Sequence, residues 1–479
     1  MKRFLIYTII AAAAVCAASK RVQAQMKSSY FMEGSIPRLD MNAAFVPQRG
    51  YVNIPVVGNL GFGLNSNYLS VKNFLYPNPE GSGLVTFMHG SVDASDFLSR
   101  MRNRNHLNFS VRDNIFGFGA FAKRYFWSFG LNLRSETSMT IPKEFFEMAK
   151  RFNEGTYDLG GFNLESDNYL EFAVGFAFPV RILEKRVDVG FRAKGLLGAA
   201  HASMNIESMR ASIDGTEWRA DMQGTFTGNI TAMDFSRLHG QMNLADVFDP
   251  ENREFSMKRI GSWGLAFDLG AETRFLDDRL KVSLGVNDIG FVSWSKKSAV
   301  TGTFDNLSVS YRGYNFDAKK GEDDIYFDSP DSVMVTIGTP KASTRMLTAT
   351  LNVGAEYNIL HEAIGFGLLS QTRFYSDYTS TELTVSANFR PSRWFTGTLS
   401  HTLVQNRLGV FGVALNVHPS WINLFLGMDY VGLRYAKSRD SSLMLPLGMK
   451  SLNFYFGLAV PLSKPKACGR FPDRTKRCR

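Results

Sequence analysis

Segments apolar at every second residue recur along this 479-residue chain, and that repetition constrains its fold more than any other feature. Val187, Val189, Phe191 and Ala193 alternate with Asp188, Gly190, Arg192 and Lys194. Leu265, Phe267, Leu269 and Ala271 alternate with Ala266, Asp268, Gly270 and Glu272. Leu280, Val282, Leu284 and Val286 alternate with Lys281, Ser283, Gly285 and Asn287, and the same phase returns in Leu347–Tyr357, Leu383–Phe389 and Leu452–Val460. A period of two sends alternate side chains to opposite faces of a sheet. Here one face is apolar and the other carries charges and small polar groups, the pattern of strands between lipid and a wet lumen. A soluble β-sandwich also alternates, but this many long strands would divide into domains, and no linker interrupts them.

The first 24 residues read as a signal peptide outside the fold. Lys2 and Arg3 precede an apolar stretch of 15 residues, Phe4 to Ala18, too short to span a bilayer. Val22-Gln23-Ala24 supplies a small-x-small pattern, so cleavage after Ala24 and Sec export are expected. A lipoprotein site at Cys16 is the weaker alternative, since Ala13-Ala14-Val15 lacks the large aliphatic and final small residues such sites use.

The net charge of +10 suggests a nucleic-acid partner until it is mapped. Of 54 basic and 44 acidic residues, the signal segment holds four basic ones, and the tail 464–479 holds seven basic and one acidic. The remainder is neutral, so no nucleic-acid face is implied. Cys468 and Cys478 both lie in that tail. An oxidising compartment favours a disulfide between them over free thiols or a metal pair, because no further His or Cys lies nearby.

The expected organisation is an N-terminal plug or periplasmic segment over 25–55, a barrel over 56–463 and a basic periplasmic tail over 464–479. The first strand is expected at Val56–Val71 and short loop helices at Asp93–Arg104 and Pro142–Asn153. Hairpins follow at His106–Lys123 with Phe126–Thr140, Asn168–Ile182 with Val187–Ser203, and Ile260–Phe275 with Leu280–Trp294. Five more strands fill 364–431, and Leu452–Val460 closes the sheet. Longer connections fall near 141–166, 231–258, 313–345 and 432–450. Short turns at one end and long loops at the other match an all-β transmembrane antiparallel barrel of about 14 strands, with 16 as the alternative. Trp127, Trp394 and Trp421 beside short turns, and Trp263 and Trp294 at the other strand ends, are expected to form two interface girdles.

Little points to catalysis or to a cofactor. The seven histidines are scattered, with no His-x-x-x-His or Cys-x-x-Cys metal motif and no Gly-x-Ser-x-Gly elbow. Gly61-Phe62-Gly63 and Gly117-Phe118-Gly119 sit in strands, not ahead of helices, and read as strand glycines. His201 and Ser203 stand two apart on the face that carries Val189 and Phe191, which resembles a lipid-facing hydrolase pair, but no residue to orient the imidazole can be named. Arg192, Lys194, Asp268, Glu272, Arg274 and Lys281 are the expected lumen-lining charges. Carrying both signs, they either pair into a closed interior or line a narrow aqueous path.

Ser29-Tyr30-Phe31-Met32-Glu33-Gly34, Asn42-Ala43-Ala44-Phe45-Val46-Pro47 and Gly50-Tyr51-Val52-Asn53-Ile54-Pro55 resemble the opening of a Bacteroidota outer-membrane family of unknown function. That family shows an "xNPAFQP"-like stretch, from which Ala43 departs where Pro is usual. Its architecture is similar to that of the outer-membrane long-chain fatty-acid transporters, barrels with an N-terminal plug, one relative of which shuttles secretion components. The resemblance implies a barrel among outer-membrane lipid, inserted by the barrel-assembly machinery. It leaves two functions open: passive passage of a hydrophobic or small polar compound through a plugged lumen, or a non-enzymatic scaffold for protein partners.

Overall fold

The computed structural model describes residues 27–462 apart from 80, 82, 152–154, 183, 215–216, 250–253, 305–306, 315–324, 329–333, 376–378, 405–406, 432–434, 438–443 and 447–450. The signal segment, the basic tail, Cys468 and Cys478 lie outside the described residues. Among those described, the alternating segments form fourteen antiparallel strands that close on themselves. β1 runs in two pieces, Tyr51–Asn53 and Leu60–Ser66. β2 (Arg104–Ala122), β3 (Tyr125–Pro142), β4 (Phe162–Ile182), β5 (Lys185–Asp214), β6 (Trp263–Phe275) and β7 (Leu280–Trp294) follow. β8 (Ala349–Ile359), β9 (Ile364–Phe374), β10 (Thr379–Ser392), β11 (Phe395–Val404), β12 (Arg407–Val417), β13 (Asn423–Val431) and β14 (Ser451–Pro461) complete the ring. Both pieces of β1 pair with β14 on one side and β2 on the other, so the sheet has no free edge.

The barrel begins earlier than residue 56. Tyr51 is already opposite Pro461 and Gly119. The expected first strand is instead interrupted at Ile54–Asn59, where Pro55 lacks a donor and Val56 takes a left-handed φ of 70°. The first expected helix shrinks to α1 (Ala94–Ser99), capped by the Asp93 carboxylate accepting from the Asp96 amide at 2.7 Å; the second is α2 (Lys143–Arg151), and the last two residues expected in it lie outside the described residues.

Parity sets the two faces. Phe191, Leu265, Phe267, Leu269, Leu284, Phe366, Leu368, Leu383, Val385, Leu399 and Leu426 are exposed on the outside, as an apolar band requires, while Arg192, Asp268, Lys281, Ser283 and Ser386 are buried inside. Among the described residues, no helix is long and apolar enough to cross a membrane. The barrel interior holds residues 27–50, which we call the plug for this position alone; its Tyr30, Phe31, Met32, Met41 and Phe45 pack with Leu369, Ala414, Phe425 and Tyr455 of the wall.

Strands the alternation did not reveal extend past the barrel at its long-loop end. The far half of β5 pairs with Glu217–Ile230, which continues through Ala299–Thr303 and Leu307–Tyr314. Met334–Ile337 and Gly240–Asn243 join this sheet beside helix α3 (Leu244–Phe248). Phe226, Phe235, Val247, Val300 and Phe304 form its own apolar core.

Candidate functional site

The plugged lumen is the site that collects the chain's unusual chemistry. The plug holds two single 3₁₀ turns, Lys27–Ser29 and Pro37–Asp40, the second started by a proline whose fixed φ suits a first turn. Asn42 then turns the chain by accepting from the Ala44 amide at 2.9 Å, while its own amide donates to the Leu284 carbonyl of β7 at 3.0 Å. Met41 lends its carbonyl to Asn287 and Asn352, at 2.8 and 2.9 Å. The plug's polar backbone is therefore satisfied by the wall, as a buried irregular segment must be.

Charge fixes it at three places. Lys27 pairs with Glu382 of β10, and the Asp429 carboxylate of β13 accepts from the Lys27 and Ser28 amides at 3.0 and 3.2 Å. Glu33 lies 2.6 Å from Lys281 and 3.4 Å from Arg274, while Arg390 donates to the Phe31 carbonyl at 2.8 Å. Asp40 lies 2.7 Å from Arg192 and 3.7 Å from Arg112, and accepts from Asn59 at 2.7 Å. Burial alone would push the Asp40 carboxyl up, but the Arg112 and Arg192 guanidinium groups more than offset it and hold it below the usual carboxylate value. Lys27, Glu33 and Asp40 thus each meet wall groups of opposite sign.

Behind Asp40 the wall carries its own network. Lys194 lies 2.6 Å from both Asp268 and Asp288; Arg134 lies 2.7 Å from Asp288 and 2.8 Å from Glu171. Of the six charges expected in the lumen, Arg192, Lys194 and Asp268 fall in this cluster and Arg274 and Lys281 in the Glu33 cluster. Glu272 stands 3.9 Å from Arg38, which in turn covers the Phe45 ring at 4.0 Å. Sequence reasoning did not find Lys27, Glu33, Asp40, Arg134, Glu171 or Asp288. Arg134 and Glu171 carry a usable signal, a charge at inward parity flanked by apolar residues, Leu131 and Leu133 for the first and Leu170 and Phe172 for the second. The plug residues carry none, since their partners lie hundreds of residues away.

Two placements correct the alternation. Trp294 is not an interface residue: it is 1% exposed, because a bulge at Asp288 (φ 59°) flips the parity of β7 beyond it. Trp127, Trp263, Trp394 and Trp421 are all exposed, Trp421 at 70%. His201 likewise does not share the outer face of Phe191, since Ala199 is skipped in the pairing of β4 with β5 and turns His201 inward. There its ring stacks on Trp294 with centroids 5.1 Å apart, and its Nδ1 lies 2.7 Å from Asp167. Asp167 is an orienting group the sequence did not reveal, but the pair is buried in the wall rather than presented to lipid.

Near the short turns, His418 follows β12 and faces the plug at Gly34, where an added Cβ would stand 2.1 Å from His418 Nε2. Burial, with Arg49 nearby, pushes the His418 imidazole down to about 4. Among the described residues, no group of His, Cys, Asp and Glu could hold a metal ion.

No curated protein matches this sequence. Among solved structures, the Ralstonia pickettii toluene transporter TbuX is similar over 89% of this chain and 94% of its own, at 10% identity and a TM-score of 0.40. The TodX deltaS2S3 mutant monoaromatic hydrocarbon channel is similar over 88% and 92%, at 9% identity and a TM-score of 0.38. A Pseudomonas aeruginosa FadL homologue is similar over 92% and 99%, at 9% identity and a TM-score of 0.24. The family model described as "Family of unknown function (DUF5723)" matches residues 43–429, and the chain belongs to that family.

Proposed function

We propose that this protein is a non-enzymatic barrel of the Gram-negative outer membrane that passes a small polar solute through its plugged lumen. The observation that carries the reading is the contrast between faces: an apolar exterior around a wall whose buried inward residues are mostly Arg, Lys, Asp, Glu, Asn, Ser and Thr. Such a wall solvates a polar passenger better than a hydrophobic one. The plug is held by noncovalent contacts, among them ion pairs with the wall, so its displacement leaves the strand ladders of the barrel intact. On this reading the chain is exported by the Sec pathway, loses residues 1–24 and is inserted by the barrel-assembly machinery. Purified protein in liposomes should admit small polar solutes, and liposomes that stay sealed to all of them would refute it.

One observation favours a second reading, a scaffold or shuttle for protein partners. The sheet at the long-loop end has an apolar core of its own and so offers a platform separate from the lumen. Stable co-purifying proteins together with a sealed barrel would select it.

A further inference from the structure

The plug is not seated evenly. Against β5, β6 and β9 it lies on glycines that leave no room. A Cβ on Gly190 would stand 2.0 Å from the Ala43 carbonyl oxygen, on Gly270 2.0 Å from Asn42 Oδ1, and on Gly367 2.4 Å from the Phe31 ring. Beside β1 to β3 its Ile36, Leu39 and Val46 pack with Tyr51 and Phe126, but a small cavity is left between Leu39 and Asp40 and the side chains of Asn53, Asn114, Ser128 and Asn132.

That cavity is bordered by a one-way row of amides. Asn53 donates to Asn114 at 2.7 Å, Asn114 to Asn132 at 2.7 Å, and Asn132 to Glu171 at 2.8 Å. The row leaves its first acceptor unused. Asn53 Oδ1, Asn59 Oδ1 and Arg192 Nε, all lining residues, are buried with no hydrogen-bond partner among the described residues. Buried polar atoms in that state call for a partner molecule. A second small cavity adjoins the short-turn end, beside Gly34, Arg49 and His418. The two cavities share Ile36 and Tyr51, both buried.

We propose that solute crosses the barrel along this seam, with Ile36 and Tyr51 as its gate and the asparagine-lined cavity, once widened, as a binding site for a small uncharged hydroxylated molecule. The proposal rests on the transport reading. A hydroxyl both donates and accepts, which answers two orphan acceptors and one orphan donor. Net charge is disfavoured because Asp40 and Arg192 already neutralise each other at 2.7 Å. Ile36 and the Tyr51 ring, shared by the two cavities, form a constriction that excludes water until it widens.

The test uses the full-length protein in liposomes, with glycerol-driven swelling as readout. Wild type should swell, Ile36→Ala should swell several-fold faster, and Asn114→Leu, which fills the cavity and cuts the amide row, should swell more slowly. A second measurement does not depend on flux. Gly130 lines the cavity with 3.5 Å of clearance at its Cβ position, so Gly130→Cys in a Cys468→Ser, Cys478→Ser background should react with N-ethylmaleimide while folded, and glycerol should slow that reaction. Swelling unaffected by both variants, or a cysteine inert until the protein is unfolded, overturns the seam while leaving transport intact. No glycerol passage in either wild type or Ile36→Ala overturns the seam, and refusal of every other polar solute as well would remove the transport reading itself.

Discussion

Asp40 meets the buried Arg192 at 2.7 Å and the largely covered Arg112 at 3.7 Å, so its charge holds two cations in place. Removing one member of a buried pair strands the other. Asp40→Asn should therefore cost about 3 kcal/mol of stability and raise conductance. Because the folded carboxyl titrates below its ordinary 3.8, this contribution is complete above that value and is lost as pH falls through the depressed one. His418 behaves in the same direction for a different reason. It is neutral while the plug is seated and would titrate near 6.5 once exposed, so seating is unaffected above 6.5 and weakens as pH falls from 6.5 towards about 4. Conductance should rise across that window in wild type and stay flat in His418→Gln. Asp113 is a third informative residue. It shares the outward parity of Val111 on β2, opposite Leu60 and Leu133, and one carboxyl oxygen is buried without a hydrogen-bond partner among the described residues. If that face meets hydrocarbon, Asp113→Leu should raise the unfolding midpoint in lipid, by about 1 kcal/mol in stability.

The plug is an element that the wall receives in glycine notches rather than through shape alone. Gly190→Ala should unseat it, because the new methyl would occupy the place of the Ala43 carbonyl. The expected result is raised conductance and trypsin cleavage at Arg38, with the barrel's sheet content unchanged by circular dichroism. These notches show which parts of the fold a sequence displays. Strand alternation is local, so β6 to β10 are legible from residue types alone. A bulge is local too, yet it hides where small residues blur the phase, as at Gly198-Ala199-Ala200; at Asn287-Asp288 two consecutive polar residues are its trace. The plug's partners are different in kind. Gly190 and Gly270 look like any strand glycine, and their purpose exists only once residues 42 and 43 lie against them.

The whole molecule is a ring of strands sorted into two faces, filled by its own N-terminal segment and topped by a separately packed sheet. Closure explains why β1 can be broken at Ile54–Asn59 without fraying: both neighbours hold it, with Ile54 donating to Leu458 and Asn114 donating to Asn59, each at 3.0 Å. The sheet at the long-loop end was not legible because its strands pair across long stretches of sequence, Glu217–Ile230 with Ala299–Thr303 and Leu307–Tyr314, and Gly240–Asn243 with Met334–Ile337. The central claim concerns the faces. Spin labels placed singly at Leu284, Leu368 and Leu415, all outward and exposed, test it in proteoliposomes by comparing collisions with lipid-soluble oxygen and a water-soluble nickel chelate. Strong oxygen access with little chelate access at all three sites is the predicted result, and chelate access equal to that of a label in a long loop would contradict it.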